Sequence, residues 1–531
     1  MRLTSQMLSL CTTAWLLICF GSNLAALSDE RPNIVVIVCD DMGFSDLGCY
    51  GGEINTPNLD HLAANGLRFK DFHNNAKCSE TRASLLTGLW HQQTKNLKTP
   101  NHVTLAEVLR SAGYSTMMSG KWHVAATPPE RGFDRYFGFL DGCINFFTGE
   151  DWSSSKEGWG SGKNLMRLDS DEYECPEGFY STDAFTDFAI EFLTDATKKD
   201  QPFFLYLAHN APHFPLHALQ EDIAKYKGKY NAGWDVIREQ RHQKLKELGI
   251  IDENWLLSER DPKVESWKSL TREEHEFLIP MMEVYAAMVD RLDQNIGRLI
   301  EQLEREGELE NTLIVFFSDN GACPYERLRN DVRIPGPAKS DIAYDARWAN
   351  MCNSPLRLYK QYAHNGGTLT PMIAHWPKRI LRRGELSNHT SHLIDLMPTC
   401  IELAGAKYPT EWRGNTVLPM EGESIVKAFT SESASQRAKP LFWEFSGNHA
   451  IRDGNWKLVA ERSKDWELYD LSEDRSETND LASDLPERVA RLSKRYDQWA
   501  KRTGAKTHAR SMKSKPSTQS QLFDLEEILA P

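Results

Sequence analysis

The sequence lacks the compositional extremes of fibrous and low-complexity proteins. Its 531 residues include 33 glycines and 24 prolines, which is close to average usage and excludes a collagen-like chain. Hydrophobic residues make up 40% of the chain, too large a share for a wholly disordered protein. An excess of positive charge is also missing: the formal net charge is −13, so the sequence predicts no nucleic-acid partner. A site for an anion must therefore be a local cluster of cations.

Metal-binding and disulfide-forming cysteine patterns are absent as well. The ten cysteines include no Cys-x-x-Cys pair and have no regular spacing, so neither a zinc ribbon nor a disulfide scaffold is indicated. Long hydrophobic runs are scarce, because the run at residues 8–20 is too short for a comfortable membrane span and no later stretch is apolar enough. We therefore predict that the mature chain has no integral membrane span.

The N-terminus has the pattern of a secretory signal. Arg2 precedes the apolar run at 8–20, and the small residues Ala25 and Ala26 follow it. We expect residues 1–27 to be a signal peptide and the protein to be exported to a periplasm, the extracellular space or the lumen of the secretory pathway. The alternative is an uncleaved anchor.

Strands and helices alternate along most of the chain. Short apolar runs predict buried parallel strands at residues 34–38, 115–118, 203–207, 313–317 and 372–374. Helical patterns cover residues 58–65, 104–112 and 281–306, the last opened by Pro280. This alternation predicts an α/β fold with a large, mostly parallel sheet flanked by helices.

The pattern changes near residue 430. Short alternating runs follow at residues 441–445, 449–452, 456–460 and 466–470, with a helix at 485–503. Residues 28–430 are therefore expected to form the main domain. Residues 431–531 are expected to form a C-terminal α+β subdomain, with a small antiparallel sheet, a helix and a basic, solvated tail. A charged stretch with three tryptophans, residues 226–272, is interpreted as an insertion over the active-site face.

Chemically capable residues follow the predicted strands. In open α/β sheets, ligands bind beyond the carboxyl ends of the strands. Asp40 and Asp41 follow the first strand, and Asp319 and Asn320 follow the strand at 313–317. Such oxygen ligands favour Ca²⁺ or Mg²⁺ over zinc. One such pair alone would be interpreted as capping a helix or turn, but two pairs favour a metal site.

Two further strand ends carry basic residues. Lys121 and His123 follow the strand at 115–118, whereas His209 and His213 follow the strand at 203–207. The histidines are candidates for proton transfer. The alternative, which we favour for His209, is a structural histidine held in the core.

A short helix predicted at residues 81–86 has Cys78 near its N-terminus. Helix N-termini attract anions through free N–H groups and the helix dipole, and Arg82 can add a forked cation on the same side. The alternative is a buried structural cysteine and a surface arginine.

Taken in order, these motifs resemble the type I sulfatases of the alkaline phosphatase superfamily, most closely the arylsulfatase branch. The resemblance extends from about Arg31 to Thr503. It rests on Pro32-Asn33-Ile34 through Asp40-Asp41-Met42-Gly43, Cys78…Arg82…Leu86-Thr87-Gly88, Gly120-Lys121-Trp122-His123, Ala211-Pro212-His213, Ser318-Asp319-Asn320-Gly321 and Lys360…His364-Asn365-Gly366-Gly367. It implies an alkaline phosphatase-like fold and hydrolysis of aryl or carbohydrate sulfate monoesters.

The resemblance also implies roles for individual residues. Cys78 would be converted to formylglycine by a maturation enzyme, and one hydroxyl of the hydrate would attack sulfur while the other later expels sulfate. One Ca²⁺ would be held by Asp40, Asp41, Asp319, Asn320 and the modified Cys78. Arg82, Lys121 and Lys360 would neutralise the transferring group, His123 would take the proton that releases sulfate, and His213 would protonate the leaving oxygen.

Glu80 departs from the family's maturation signal, which usually has proline, or sometimes alanine, at this place. It puts conversion of Cys78 in question and places a carboxylate near a candidate anion site. Two alternatives therefore remain open. One is a phosphate or phosphonate ester hydrolase on the same scaffold, and the other is a non-catalytic binder of sulfated glycans with an unmodified Cys78.

Overall fold

The structure is a computed structural model that describes residues 31–152, 163–199, 201–328, 331–431, 437–512, 522–523 and 525–529. Arg31–Pro531 forms one compact unit. The predicted signal peptide lies outside the described residues. Within those residues, every helix is too short or too polar to cross a membrane. The boundary at residue 430 stays a prediction.

The strands and helices alternate through the first three quarters of the chain, as the sequence predicts. The strands are β1 (Asn33–Cys39), β2 (Leu67–Phe69), β3 (Phe72–His73), β4 (Ser115–Lys121), β5 (Arg135–Phe139), β6 (Met166–Leu168), β7 (Asp171–Glu172), β8 (Phe203–Ala208), β9 (Thr312–Ser318), β10 (Arg327–Leu328), β11 (Ile342–Ala343), β12 (Met372–His375), β13 (Glu385–Ser387), β14 (Ser391–His392), β15 (Glu411–Trp412), β16 (Asn415–Thr416), β17 (Leu441–Phe445), β18 (Asn448–Asp453), β19 (Trp456–Ala460) and β20 (Glu467–Asp470). The α-helices are α1 (Pro57–Ala64), α2 (Cys78–Thr87), α3 (His91–Thr94), α4 (Leu105–Ser111), α5 (Ser181–Thr197), α6 (Gln220–Ala224), α7 (Gly233–Glu247), α8 (Arg272–Arg305), α9 (Ala346–Cys352), α10 (Asn365–Thr368), α11 (Leu396–Leu403), α12 (Val426–Thr430), α13 (Pro486–Thr503), α14 (His508–Ser511) and α15 (Leu525–Leu529).

A ten-stranded sheet forms the centre of the molecule, in the order β13-β2-β12-β9-β1-β8-β4-β5-β6-β7. Strand β1 pairs in parallel with both β8 and β9, so Val36 lies opposite Tyr206 on one side and Val315 on the other. The predicted α/β fold with a mostly parallel sheet is confirmed. The expectation of a parallel strand at 372–374 is wrong in direction, because β12 runs antiparallel to β9 and β2. An apolar run predicts burial but not direction.

The central strands are apolar throughout because both faces of the sheet are covered. Val35 and Ile37 of β1 face one core, which also includes buried side chains of α1, α5 and α8. Ile34 and Val36 face the opposite core, which α4, α11 and the C-terminal sheet cover. The alternation follows from the two-residue period of a strand.

The longest helix, α8, begins earlier than the sequence pattern predicts. It starts after Thr271, whose hydroxyl accepts a hydrogen bond from the Glu274 amide while the Glu274 carboxylate accepts one from the Thr271 amide. This capping box makes Thr271 the true start. Pro280, predicted to open the helix, lies inside it. Burial of the neighbouring Leu278 and Met281 offsets the missing backbone hydrogen bond.

The stretch at 226–272 contains α7 and packs against α9 and the loop that follows β1. Its Trp234 packs against Trp348 of α9, with ring centroids 5.3 Å apart. Its Arg241 is buried and donates a 2.6 Å hydrogen bond to Asp46, in the loop after Asp40 and Asp41. The stretch therefore supports that loop, and its location over the active-site face stays a prediction.

The C-terminal residues form the predicted small antiparallel sheet and helix. Strands β17 to β20 pair in sequence order, and α13 packs against β18 and β19. The rings of Phe442 and Trp499 stack with centroids 4.9 Å apart. A buried ion pair joins this sheet to the central part of the molecule: Arg452 binds both carboxylate oxygens of Asp71, at 2.6 and 2.7 Å.

His209 lies in the core directly after β8. Its side chain is fully buried, its ring lies 6.2 Å from that of Phe185, and neither ring nitrogen has a hydrogen-bond partner within the described part of the chain. Burial lowers the pKa of His209 to about 3. Since an unfolded histidine has a pKa near ~6.5, the unfolded chain binds a proton first as the pH falls. The stability that a neutral His209 confers is thus complete above about pH 6.5 and is lost as the pH falls toward 3.

We predict that His209→Leu makes stability less sensitive to acid. Between pH 7 and 5, the variant should lose about 2 kcal/mol less unfolding free energy than the wild type, as measured by urea denaturation at each pH. The activity expected from the sequence should persist at neutral pH, because His209 lies in the core. Replacement of the exposed His61 by Gln is the control. An unchanged pH dependence of stability in His209→Leu would refute this assignment.

Candidate active site

Two neighbouring strand ends bring four oxygen-bearing side chains together. Strand β1 leads into Asp40 and Asp41, and its parallel neighbour β9 leads into Asp319 and Asn320. The Asp41 amide donates a 3.2 Å hydrogen bond to the Asp319 carboxylate, and the Asn320 amide group donates one of 2.7 Å to Asp41. Asp41 has a left-handed φ of 71°, a conformation that aspartate tolerates better than most residues. The predicted convergence is observed.

The donor atoms of this group fit a hard cation. Ligand atoms of Asp40, Cys78 and Asp319 lie within 4.8 Å of one another, as do those of Asp40, Asp41 and His213. One oxygen of Asp40 and the side-chain oxygen of Asn320 are buried without a hydrogen-bond partner among the residues described. Buried polar atoms are normally paired, so these oxygens are suited to a metal ion.

Three cations contact the same carboxylates. The Lys121 ammonium lies 2.5 Å from Asp40, and the Lys360 ammonium lies 2.6 and 2.8 Å from the two oxygens of Asp41. Arg82 donates a 3.1 Å hydrogen bond to Asp319. All three cations are fully or almost fully buried. The structure therefore places all three predicted cations around the predicted metal ligands.

The pKa of each carboxyl in this cluster depends on the charges of its neighbours. Burial alone would raise the pKa of Asp40, but Lys121, His213 and Arg82 outweigh it and hold the pKa below its usual range. Burial and the Asp40 carboxylate raise the pKa of Asp319 well above its usual range, since Arg82 offsets them only in part. A further cation beside Asp319 would therefore stabilise the ionised form of its carboxylate.

Cys78 is the first residue of α2, three residues before the predicted start of this helix. Its sulfur lies 3.4 Å from Nδ1 of His123, a residue with a left-handed φ of 57°. Burial, Lys121 and Arg82 together lower the pKa of His123 well below its usual range. The neutral form of the imidazole is therefore favoured beside residue 78.

His213 lies on the other side of the carboxylates. Its Nδ1 donates a 2.7 Å hydrogen bond to the Phe214 carbonyl, and its Nε2 lies 3.5 Å from an oxygen of Asp41. Burial lowers the pKa of His213 to about 3, although Asp41 and Asp40 oppose the shift. His213 points toward the same space as the carboxylates, as the sequence predicts.

Glu80 lies on α2 and contacts His91 of α3. Its Oε2 lies 3.4 Å from Nε2 of His91, whose ring also contacts the Glu444 carbonyl. Burial and the Glu444 carboxylate raise the pKa of Glu80 well above its usual range. Both effects disfavour the charged form of the carboxylate that the sequence places near the anion site.

Several aromatic neighbours of the site were not predicted from the sequence. Tyr206 accepts a 3.4 Å hydrogen bond from Arg82. The Lys360 ammonium lies 5.4 Å from the centre of the Tyr325 ring, and the rings of His213 and Phe214 are 4.0 Å apart. Tyr206 sits within an apolar strand, and Tyr325 follows an irregular segment, so neither position had a recognisable pattern.

Comparison with known proteins agrees with this geometry. Residues 32–406 match the family model described as "Sulfatase", and residues 357–501 match "N-sulphoglucosamine sulphohydrolase, C-terminal". An uncharacterised sulfatase of Schizosaccharomyces pombe is 35% identical over 90% of this chain and 95% of its own length. An arylsulfatase of Klebsiella aerogenes is 34% identical over 78% of this chain and 95% of its own.

A solved structure is also similar. The crystal structure of Ps i-CgsB in complex with k-i-k-neocarrahexaose superposes with a TM-score of 0.64 and 27% identity, covering 88% of this chain and 93% of that one. The family match covers the strand ends, Cys78 and all the cations described above. The chain therefore belongs to the sulfatase family of the alkaline phosphatase superfamily and is a sulfuric ester hydrolase.

Proposed function

We propose that this chain hydrolyses aryl or carbohydrate sulfate monoesters by cleavage of the S–O bond, with a formylglycine derived from Cys78 as nucleophile and one Ca²⁺ as cofactor. The observation that carries the proposal is the position of Cys78. Its side chain lies at the N-terminus of α2, beside the carboxylates of Asp40 and Asp319 and 3.4 Å from His123. The 34% identical arylsulfatase and the carbohydrate-bound structure support the two substrate types.

The metal ligands proposed are Asp40, Asp41, Asp319, Asn320 and the modified Cys78. Bound there, Ca²⁺ would supply a Lewis acid that polarises a sulfate oxygen. The unpartnered oxygens of Asp40 and Asn320 are available for it. With the carboxylates neutralised in this way, Lys121 and Lys360 would be free to turn toward the sulfate.

Residue 78 is proposed as the nucleophile. As a hydrated aldehyde it would supply two hydroxyl groups, one to attack sulfur and one to let sulfate leave afterwards. His123 holds an unprotonated ring beside it and would take the proton that triggers this release. The N-terminus of α2, where residue 78 lies, would favour the developing negative charge through the helix dipole.

Substrate charge would be balanced by Arg82, Lys121 and Lys360, which contact the carboxylates of Asp319, Asp40 and Asp41. His213 is proposed to protonate the leaving oxygen. Its pKa of about 3 reflects burial, so it needs the negative charge of a bound sulfate nearby to raise that pKa and to hold the proton.

We also propose that residues 28–430 form the catalytic domain and that the chain is exported by the signal at 1–27. The proposed partners are a formylglycine-generating maturation enzyme and the sulfated substrate. Glu80 supports the alternative of an unmodified, non-catalytic binder only if Cys78 remains a thiol. Mass spectrometry of residue 78 distinguishes the thiol from the aldehyde.

Mass spectrometry of the peptide containing residue 78, from protein purified from its native host, should reveal an aldehyde in place of the thiol. Cys78→Ala should reduce kcat/KM for 4-nitrophenyl sulfate by about 10³-fold or more, because the variant lacks the nucleophile. Cys175→Ala, outside the site, is the control. 4-Nitrophenyl phenylphosphonate, which has the same 4-nitrophenol leaving group, should be a poorer substrate than 4-nitrophenyl sulfate.

An intact thiol in protein that turns over sulfate esters would refute the nucleophile. An intact thiol in inactive protein that binds sulfated glycans would favour the binder, and preference for the phosphonate ester would favour the second hydrolase.

Removal of calcium should lower both activity and stability. A ligand that binds only the folded state stabilises it by mass action, so Tm should rise with added Ca²⁺ in the wild type. In Asp319→Asn, which removes one negative ligand, the Ca²⁺ concentration giving half of this rise should increase by about 100-fold. Asp470→Asn, on the C-terminal sheet, should respond like the wild type. A Tm that is insensitive to both chelator and Ca²⁺ would contradict the metal site.

A further inference from the structure

The segment of residues 357–365, which carries Lys360, has a backbone conformation that it would not adopt alone. Leu358 and Gln361 have left-handed φ angles of 63° and 80°. Non-glycine residues pay about 1 kcal/mol or more for this conformation, so surrounding contacts must impose it. Backbone hydrogen bonds from Lys360 to Ala322 and from Gln361 to Ala76 tie the middle of the segment to the central part of the molecule. The side chains of Asn353 and Asn448 also donate to the Leu358 and Gln361 carbonyls, at 3.0 and 2.8 Å.

One carboxylate of the C-terminal sheet contacts both ends of this segment. Glu467, on β20, lies 3.1 Å from the Arg357 guanidinium and 3.1 Å from Nε2 of His364. The hydroxyl of Tyr469 donates a further hydrogen bond of 2.7 Å to it. Glu467 therefore fixes the separation of two residues that flank Lys360.

A second carboxylate holds the C-terminal end of the segment. Glu477 accepts a 2.7 Å hydrogen bond from the Asn365 amide and forms a 2.7 Å ion pair with Lys457. Lys457 also donates a 2.8 Å hydrogen bond to the Asn365 side chain. Glu477 and Lys457 are fully buried, and the Arg357 guanidinium bonds to the Glu477 carbonyl at 2.9 Å.

We propose that Glu467 and Glu477 are positioning residues for Lys360, so that the C-terminal sheet determines where the Lys360 ammonium lies. This inference rests on the proposed function of Lys360 as a cation that binds the transferring sulfate. Between the two held ends, the Lys360 side chain reaches inward to Asp41 at 2.6 Å. Displacement of a catalytic group by about 1 Å costs on the order of 10²-fold in rate, so a small movement of this segment has a large effect.

Glu467 is the better position for a test. Its side chain is 20% exposed, whereas loss of the Glu477 charge would leave Lys457 unpaired in the core and endanger folding. Asp453→Asn is the matched control. Asp453 lies on the same sheet and pairs with Arg495 of α13, and its side chain is 29% exposed, but it makes no hydrogen bond or ion pair with residues 357–365 among those described.

The test is a double-mutant cycle of Glu467→Gln with Lys360→Met, measured on 4-nitrophenyl sulfate. Glu467→Gln alone should lower kcat/KM by about 10-fold, mainly through kcat. In the Lys360→Met background the same replacement should change kcat/KM by less than about 2-fold, because the group it positions is gone. Asp453→Asn should leave both backgrounds unchanged. An equal loss in both backgrounds, or no loss in either, would overturn the proposal.

Hydrogen–deuterium exchange gives a readout besides activity. Amides of residues 357–366 should exchange faster in Glu467→Gln than in the wild type or Asp453→Asn, and unchanged exchange there would overturn the proposal. The activity data also distinguish the role of Lys360 from the positioning role of Glu467. Full activity of Lys360→Met would refute the role of Lys360 itself, whereas a loss in that variant with normal Glu467→Gln activity would refute only the positioning role.

Discussion

Several carboxylates lie side by side in the interior at one edge of the sheet, and the rest of the site follows from the need to balance their charge. Asp40, Asp41 and Asp319 are almost completely buried. Unpaired charges in such surroundings are strongly destabilising, so cations must accompany them. Lys121, Lys360 and Arg82 do so here. The cluster still retains unpartnered oxygens on Asp40 and Asn320 among the residues described, which is the opening that a dication fits.

The same charge balance explains the arrangement of the surrounding fold. Strands β1 and β9 are neighbours, so their carboxyl ends deliver the acidic residues to one place. The cations come from α2, from the end of β4 and from the segment at 357–365, which the C-terminal sheet holds through Glu467 and Glu477. The small C-terminal sheet is thus joined to the site by buried polar contacts as well as by apolar packing.

Much of the fold and of the candidate site could be predicted from the sequence, because the central strands and the residues that follow them have strong local signals. Continuous apolar runs identified β1, β8 and β9, and the polar residues directly after β1 and β9 identified the carboxylate cluster. What failed or was missed depends on long-range contacts. The direction of β12 and the contacts of Tyr325 and Glu467 are set by partners far away in the chain, and the start of α8 was obscured by Pro280. Glu80 was correctly noted as unusual, but its burial against His91 could be seen only in three dimensions.

The central claim is that these carboxylates hold a dication beside residue 78. Anomalous X-ray diffraction from crystals of the active protein grown with Ca²⁺ tests it most directly. We expect a single anomalous peak bounded by Asp40, Asp41, Asp319, Asn320 and the side chain at 78, with the Lys121 and Lys360 ammonium groups moved off the carboxylates. The contrary result is that crystals of active protein at saturating Ca²⁺ have no peak at this position and keep both lysines on Asp40 and Asp41. That result would contradict a dication site beside residue 78.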